Sequence, residues 1–180
     1  MEYLFPKLST DYEVIRERDP AQLGEQEIAL CGRYEHIQNY LSGDWALHGT
    51  NLVRAKYLEP MQELLVRLPE NAFDALTDQT NFYFEDPRIN TLGVSVQNHR
   101  FRRSEVGKEE ACFTVIIFKA AANLSSEAVI GLLAHEFAHS FVTVFDDSEN
   151  ERLTNEKLRE WGFDPFYQTL LREIKTQRGI

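Results

Sequence analysis

The chain has 180 residues, of which 43% are hydrophobic and 12% aromatic, a composition that suits one compact domain with a sizeable core. Its formal charge of −10 excludes the broad basic surface that phosphates require, so no nucleic-acid partner is expected. No stretch is long and apolar enough to span a bilayer, residues 1–20 lack a signal-peptide pattern, and the two cysteines suit a reducing compartment. We therefore expect a cytoplasmic protein with no membrane partner.

Two helical patterns occupy the first third of the chain, at residues 22–41 and 51–68. Pro60 lies inside the second pattern and is expected to kink or divide that helix, because proline removes a backbone donor. Residues 1–70 are expected to form an N-terminal helical region, which either packs behind the rest of the domain or covers its cleft. The apolar residues predicted to face the core are Ile28, Cys31, Tyr34, Ile37 and Leu41 in the first helix and Leu52, Tyr57, Met61, Leu64 and Leu65 in the second.

Three segments rich in strand-forming residues follow, at 81–85, 91–96 and 112–118. The first two are expected to be partners across a turn at Asp86-Pro87, within a small sheet. The basic cluster at 99–103 and the polar stretch 104–110 indicate a solvated hairpin end, and the alternative is a site for a phosphate or a substrate carboxylate.

An apolar run then contains His135-Glu136-Phe137-Ala138-His139, an H-E-x-x-H set. A helix is predicted here, with Ser125 or Asn123 as its cap and Val129, Leu132, Leu133 and Phe137 as its apolar stripe. A spacing of four places the two imidazoles on one face, one turn apart, where they can share a metal ion. Glu136 is rotated to the side, where its carboxylate can act as a general base.

Two histidines satisfied within an apolar core are the alternative interpretation of this pattern. A buried imidazole costs free energy unless its ring nitrogens find partners, and one metal ion supplies a partner to both rings. We therefore predict a zinc site at His135 and His139.

A catalytic zinc site with two histidines needs a third protein ligand and an open position for water. The metzincin continuation is absent, because Val142 and Phe145 stand where that pattern has Gly and His. The third ligand is therefore a carboxylate or an upstream imidazole. The downstream candidates are Asp146, Asp147, Glu149, Glu151 and Glu156, and the upstream imidazoles are His36, His48 and His99.

Two further helices are predicted toward the C-terminus. The first covers residues 148–160, with Ser148 as its cap and Gly162 in a left-handed turn after its end. The second has Asp164 as its cap and Pro165 at its first helical position. Its predicted buried stripe is Phe166, Leu170, Leu171 and Ile174.

Glu151 and Asn155 lie one turn apart on one face of the first of these helices. This E-x-x-x-N spacing resembles the E-x-x-x-D pattern of the glutamate helix in gluzincin metallopeptidases. The resemblance implies that Glu151 is the third zinc ligand and that Asn155 occupies the place of an Asp that hydrogen-bonds a zinc-bound histidine. Asn brings no charge, which implies a lower metal affinity or activity. The alternative role for Glu151 is a capping box with Ser148.

The resemblance extends to small bacterial, minigluzincin-like proteins over roughly residues 56–175. It implies an α+β, zincin-like fold in which a small mixed sheet packs on the active-site helix, with helices at both ends of the chain. Residues 71–180 would be the zincin-like catalytic domain. In zincins an edge strand of the sheet pairs with an extended peptide substrate.

The implied activity is zinc-dependent hydrolysis of a peptide or protein, with a zinc-bound water activated by Glu136 and with His135, His139 and Glu151 as the metal ligands. Gluzincins commonly add a Tyr or His that stabilises the transition state, and His99 and Tyr167 are the candidates here. The alternative function is a metal-binding regulatory or binding module with little or no peptidase activity. Hydrolysis of a non-peptide amide by the same residues is also open, as is self-association.

Overall fold

The computed structural model describes residues 18–42, 47–48, 51–86, 93–102, 109–142, 144 and 146–178, and its fold is α+β, as predicted. Its longer helices are α1 Glu25–Ser42, α2 Asn51–Arg67, α3 Glu70–Gln79, α4 Ser126–Ala138, α5 Asp147–Glu160 and α6 Asp164–Arg178. Its strands are β1 Leu47–His48, β2 Thr80–Asp86, β3 Gly93–Arg102 and β4 Glu109–Phe118. Short 3-10 turns lie at Pro20–Gln22, Lys119–Asn123 and His139–Phe141.

The four strands form one mixed sheet in the order β1-β2-β4-β3. All three predicted strands are present, but the expected pairing of the first two is wrong, because β4 lies between them, parallel to β2 and antiparallel to β3. This register pairs Phe82 with Val115 and Phe84 with Ile117, and all four side chains are buried. Burial of these side chains stabilises the parallel pairing over a local hairpin. As a result β3 is an edge strand among the described strands.

Helix α4 is the central element of the core. Every residue from Ala128 to Ala138 is buried, as expected for a helix that is apolar on all sides. The helix contacts α2, α5 and α6 as well as β3 and β4. Ser125 is its N-cap, because the Ser125 hydroxyl accepts the Ala128 N–H at 3.2 Å.

The N-terminal helices match their predicted ranges but only partly match their predicted faces. In α2 the side chains of Tyr57, Met61, Leu64 and Leu65 are buried as predicted. In α1 the prediction for Ile28 is wrong, because this side chain is 53% exposed. Ile28 precedes the buried Ile37 by nine residues, which is about two and a half helical turns and places it on the opposite face. The buried residues of α1 are Leu30, Ile37, Tyr40 and Leu41.

Pro60 does not divide α2, which runs without a break from Asn51 to Arg67. Pro60 and Met61 are both buried, and packing of this helix face compensates for the one missing backbone donor. Helix α3 follows and buries Ala72, Phe73, Leu76 and Thr77; its range was not predicted. No helix in the described part of the chain is both long and apolar enough to cross a membrane.

Helix α5 is capped by Asp146 and not by Ser148. The Asp146 carboxylate accepts the Glu149 N–H at 2.9 Å, and the Ser148 hydroxyl donates to the same carboxylate. Gly162 has a φ of 77° and ends the helix in the predicted left-handed turn, which a residue with a Cβ rarely adopts. Helix α6 then begins at Asp164 and packs along α4. Of its predicted stripe Leu170 is buried, while Phe166, Leu171 and Ile174 are half-buried.

Candidate metal centre

Three potential ligand atoms converge at the C-terminal end of α4. The Nε2 atoms of His135 and His139 lie 3.2 Å apart. The Glu151 carboxylate on α5 faces both rings, with Oε2 3.5 Å from His135 Nε2 and Oε1 3.5 Å from His139 Nε2. His135, His139 and Glu151 thus form a group that could hold a metal ion.

The dimensions of this group fit zinc. A tetrahedral ion bonded at about 2.0–2.1 Å separates its ligand atoms by about 3.3–3.4 Å. The two Nε2 atoms are 3.2 Å apart, close to this value, and each lies 3.5 Å from a different oxygen of the Glu151 carboxylate. With one ligand atom taken from each residue, all three atoms lie within 4.8 Å of one another. The Glu151 side chain is 52% exposed, so the group is open to solvent on one side.

The other candidate ligands do not reach the two histidines. Asp146 caps α5, while Glu149 and Glu156 both pair with Arg152 on the helix surface. Asp147 is exposed in the first turn of α5 and is not part of the group. Because Ser148 lies inside the helix and Asp146 is the cap, the capping-box alternative for Glu151 is wrong.

The upstream imidazoles do not contribute a described ligand atom. His36 is exposed on α1 and contacts the Phe73 ring edge-on, with ring centroids 5.1 Å apart. His48 and His99 lie in β1 and β3, and their side chains are outside the described part of the structure.

Residues on α5 orient the His139 ring. The Asn150 Oδ1 atom lies 2.7 Å from His139 Nδ1, and the Asn150 Nδ2 group donates to the Val144 carbonyl at 3.0 Å. Because the Asn150 amide nitrogen is engaged elsewhere, Nδ1 carries the proton and donates it to Oδ1. The His139 Nε2 atom therefore keeps its lone pair toward the group. The Thr154 hydroxyl is a further neighbour, 3.1 Å from Nδ1.

The hydrogen bond expected from Asn155 to a ligand histidine is not formed. The Asn155 Oδ1 atom is buried and has no hydrogen-bond partner among the described residues, and the same holds for His135 Nδ1. Neither Asn150 nor Thr154 was predicted in this role. Their i, i+4 spacing on the helix that carries Glu151 was the available signal.

The buried side chains of His135 and Glu136 on α4 both have shifted pKa values. Burial, and then the neighbouring His139, lower the pKa of His135 to about 3, so its imidazole is neutral at neutral pH. A neutral imidazole is the form that binds metal. Burial, and then the charge of Glu151, raise the pKa of Glu136 to about 8.

Glu136 lies against the first residue of the edge strand β3. A Cβ at Gly93 would be 2.7 Å from Glu136 Cγ and 2.9 Å from Glu136 Oε1. Only a glycine lets the strand approach the carboxylate this closely. Gly93 was not predicted as part of the site, because the contact joins two elements that are distant along the chain.

Tyr167 of α6 belongs to the same site. Its ring stacks on the His135 imidazole, with centroids 4.6 Å apart and planes at 10°. Burial raises the pKa of Tyr167, and the charges of Glu151 and Glu136 raise it further, so the phenol stays protonated and can donate a hydrogen bond. Tyr167, one of the two predicted transition-state donors, is thus next to the ligand group.

No family model, curated protein or solved structure matches the chain.

Proposed function

We propose that this protein is a zinc-dependent peptide hydrolase with a zincin-like fold, of the gluzincin type. The observation that carries the proposal is the convergence of His135, His139 and Glu151, whose ligand atoms lie within 4.8 Å of one another, with the Glu136 carboxyl group beside them. A structural role alone does not require a buried carboxyl group next to two buried imidazoles, since burial of each is costly.

Each residue of the site has a separate role in the proposed reaction. Zinc held by His135, His139 and Glu151 would supply a Lewis acid that acidifies water and polarises a carbonyl group. Glu136 accepts the proton of the attacking water and delivers it to the leaving amine. A nearby cation opposes the raised pKa of Glu136, so the carboxylate form is available as the base. The Tyr167 hydroxyl is the donor for the developing oxyanion.

The edge strand β3 supports an extended peptide as the substrate. A strand with a free edge can pair with a peptide backbone through main-chain hydrogen bonds. β3 begins at Gly93, in contact with Glu136, so a peptide paired with the start of this strand would lie beside the general base. We further propose a cytoplasmic location and a peptide or protein substrate.

The experiment that tests the proposal combines metal analysis with hydrolysis by one matched variant. We expect near one zinc per chain in protein purified without chelator, and cleavage of an unstructured protein such as casein. Glu136→Gln should retain the zinc and lose at least 100-fold in rate, because a general base contributes roughly 10²–10⁴-fold. Loss of zinc in Glu136→Gln, or equal rates in both proteins, would contradict the assigned roles.

A metal-binding module with little or no hydrolytic activity is the second candidate function. It is favoured by Asn155, which is neutral and does not hydrogen-bond either ligand histidine. Zinc in the wild type without cleavage of proteins, peptides or simple amides would support this alternative.

A further inference from the structure

The two candidate histidine ligands are held in different ways. The His139 ring is fixed by a hydrogen bond at Nδ1, where Asn150 Oδ1 lies at 2.7 Å. His135 Nδ1 is buried and lacks any hydrogen-bond partner in the part of the chain that the structure describes. A histidine ligand is usually oriented by a partner at its other ring nitrogen. Some other contact must therefore hold the His135 ring in the plane that directs Nε2 toward Glu151.

The contact that fills this role is the face of an aromatic ring. Tyr167 lies parallel to the imidazole, with 4.6 Å between centroids and 10° between planes. The His139 ring meets His135 edge-on, at 4.7 Å and 84°. Rotation of the His135 ring about its Cβ–Cγ bond would collide with the Tyr167 face.

We propose that Tyr167 is a positioning residue of the metal centre, whose ring face orients His135 for metal binding in place of the missing hydrogen bond. Helix α6 is then part of the metal centre, although it contributes no ligand. The inference rests on the proposed zinc site, and it concerns the ring of Tyr167, separately from its hydroxyl.

Two contacts between α4 and α6 hold Tyr167 in this place. Gly131 lies one turn before His135, and a Cβ there would be 2.5 Å from the Phe166 carbonyl oxygen and 2.8 Å from the Tyr167 backbone nitrogen. The absence of a side chain at Gly131 thus lets the α6 backbone touch α4 beside the site. Near the start of α4, the Glu173 carboxylate accepts the Ser125 N–H at 3.0 Å and the Ser125 hydroxyl proton. The two contacts fix both the separation and the register of the helices.

The test is zinc affinity, measured by competition with a chromophoric chelator, for four proteins. These are the wild type, Tyr167→Phe, Tyr167→Leu and the control Phe166→Leu. Phe166 is the neighbouring half-buried aromatic on α6 and packs on Phe163 and Arg67, away from His135. We expect Tyr167→Phe and Phe166→Leu to bind zinc as the wild type does. Tyr167→Leu should bind at least tenfold more weakly, the lower limit for residues that orient a ligand.

A second readout reports ligand geometry without reference to activity. The visible spectrum of the Co²⁺-loaded protein should keep its tetrahedral bands in Tyr167→Phe and change in Tyr167→Leu. Gly131→Ala should also weaken zinc binding, because the new methyl group pushes α6 away. If Tyr167→Leu does not fold, Tyr167→Met is used, since it fills similar space without a flat face.

The outcomes separate this inference from the proposed function. Zinc binding by the wild type with equal affinity in Tyr167→Leu would overturn the positioning role and leave the zinc site intact. An equal loss in Tyr167→Phe would overturn it too, because the hydroxyl and not the ring would then matter. No zinc in the wild type would overturn the proposed function itself, and with it this inference.

Discussion

Gly93 and Glu136 are so close that position 93 has no room for a side chain: a Cβ there would lie 2.7 Å from Glu136 Cγ and 2.8 Å from its carboxyl carbon. The first residue of the edge strand and the proposed general base are therefore in direct contact. This contact joins the sheet to the site and fixes where the Glu136 carboxyl group can lie.

Replacement of Gly93 by Ala should displace the Glu136 side chain. We expect unchanged zinc content and a loss of roughly 10²-fold in kcat, because a displacement of about 1 Å at a reacting group has an effect of this size. The control is Gly32→Ala on α1, where a Cβ meets nothing within 4 Å. Gly32→Ala should leave hydrolysis unchanged and raise stability by about 0.5–1 kcal/mol. Full activity in Gly93→Ala would show that the carboxylate does not need this position.

Replacement of Glu151 by Gln should weaken zinc binding far more than it weakens folding. The Glu151 carboxylate faces both Nε2 atoms at 3.5 Å, and it makes no cap for α5. The matched control is Glu149→Gln, since Glu149 lies on the same helix and pairs with Arg152 at the surface. Zinc titration and thermal unfolding of both variants distinguish a ligand role of Glu151 from a purely structural role. A lower melting temperature in Glu151→Gln with unchanged zinc affinity would remove Glu151 from the ligand set.

Replacement of Asn150 by Ala removes the acceptor that orients His139. We expect zinc affinity to fall by about 10–100-fold, the usual effect of losing the partner of a histidine ligand. Asn39→Ala is the control, because Asn39 is an exposed residue of α1 far along the chain from the site. Unchanged affinity in Asn150→Ala would mean that Thr154 alone orients the ring, and Thr154→Val would then be measured.

The metal-free protein should lose stability as the pH rises from 6.5 to 8. The raised pKa of Glu136, about 8 in the fold, means that the folded protein keeps a proton that the unfolded chain has released above its usual pKa of 4.5. Stability from this group therefore falls as the pH rises through this window. The lowered pKa of His135, about 3 against 6.5, acts in the opposite direction, but only about 0.4 kcal/mol of its effect remains between pH 6.5 and 8, because half of the unfolded imidazole has already lost its proton at pH 6.5.

Over pH 6.5–8 the Glu136 contribution is at most about 2 kcal/mol, at 1.36 kcal/mol per pH unit. The measurement is urea unfolding in the presence of a chelator, comparing the wild type with Glu136→Gln. The glutamine has no proton to release, so the difference between the two free energies of unfolding should change with pH. A constant difference from pH 6.5 to 8 would mean that Glu136 titrates normally in the fold.

Local sequence patterns were sufficient to predict many of the helices and most of the candidate site residues. The spacing of His135 and His139 on α4, the left-handed turn at Gly162 and the start of α6 at Asp164 depend on residues within one or two turns of each other. The carboxylate at Glu151 could be placed on a helix face for the same reason. The ranges of α1, α2 and α5 were accessible from periodicity and end signals, whereas the α+β class was implied by the gluzincin resemblance and the range of α3 was not predicted.

Other features were decided only by packing between distant segments. The insertion of β4 between β2 and β3, the exposure of Ile28 and the continuous helix through Pro60 follow from which faces the whole core buries. Three contacts join residues that are 32 to 43 positions apart: Gly93 with Glu136, Gly131 with α6, and Tyr167 with His135. No local spacing encodes these contacts. The sequence by itself therefore determined which side chains carry the proposed chemistry, because helical spacing is local. Only the tertiary structure decided what holds them in place, because side-chain orientation depends on close contacts between elements.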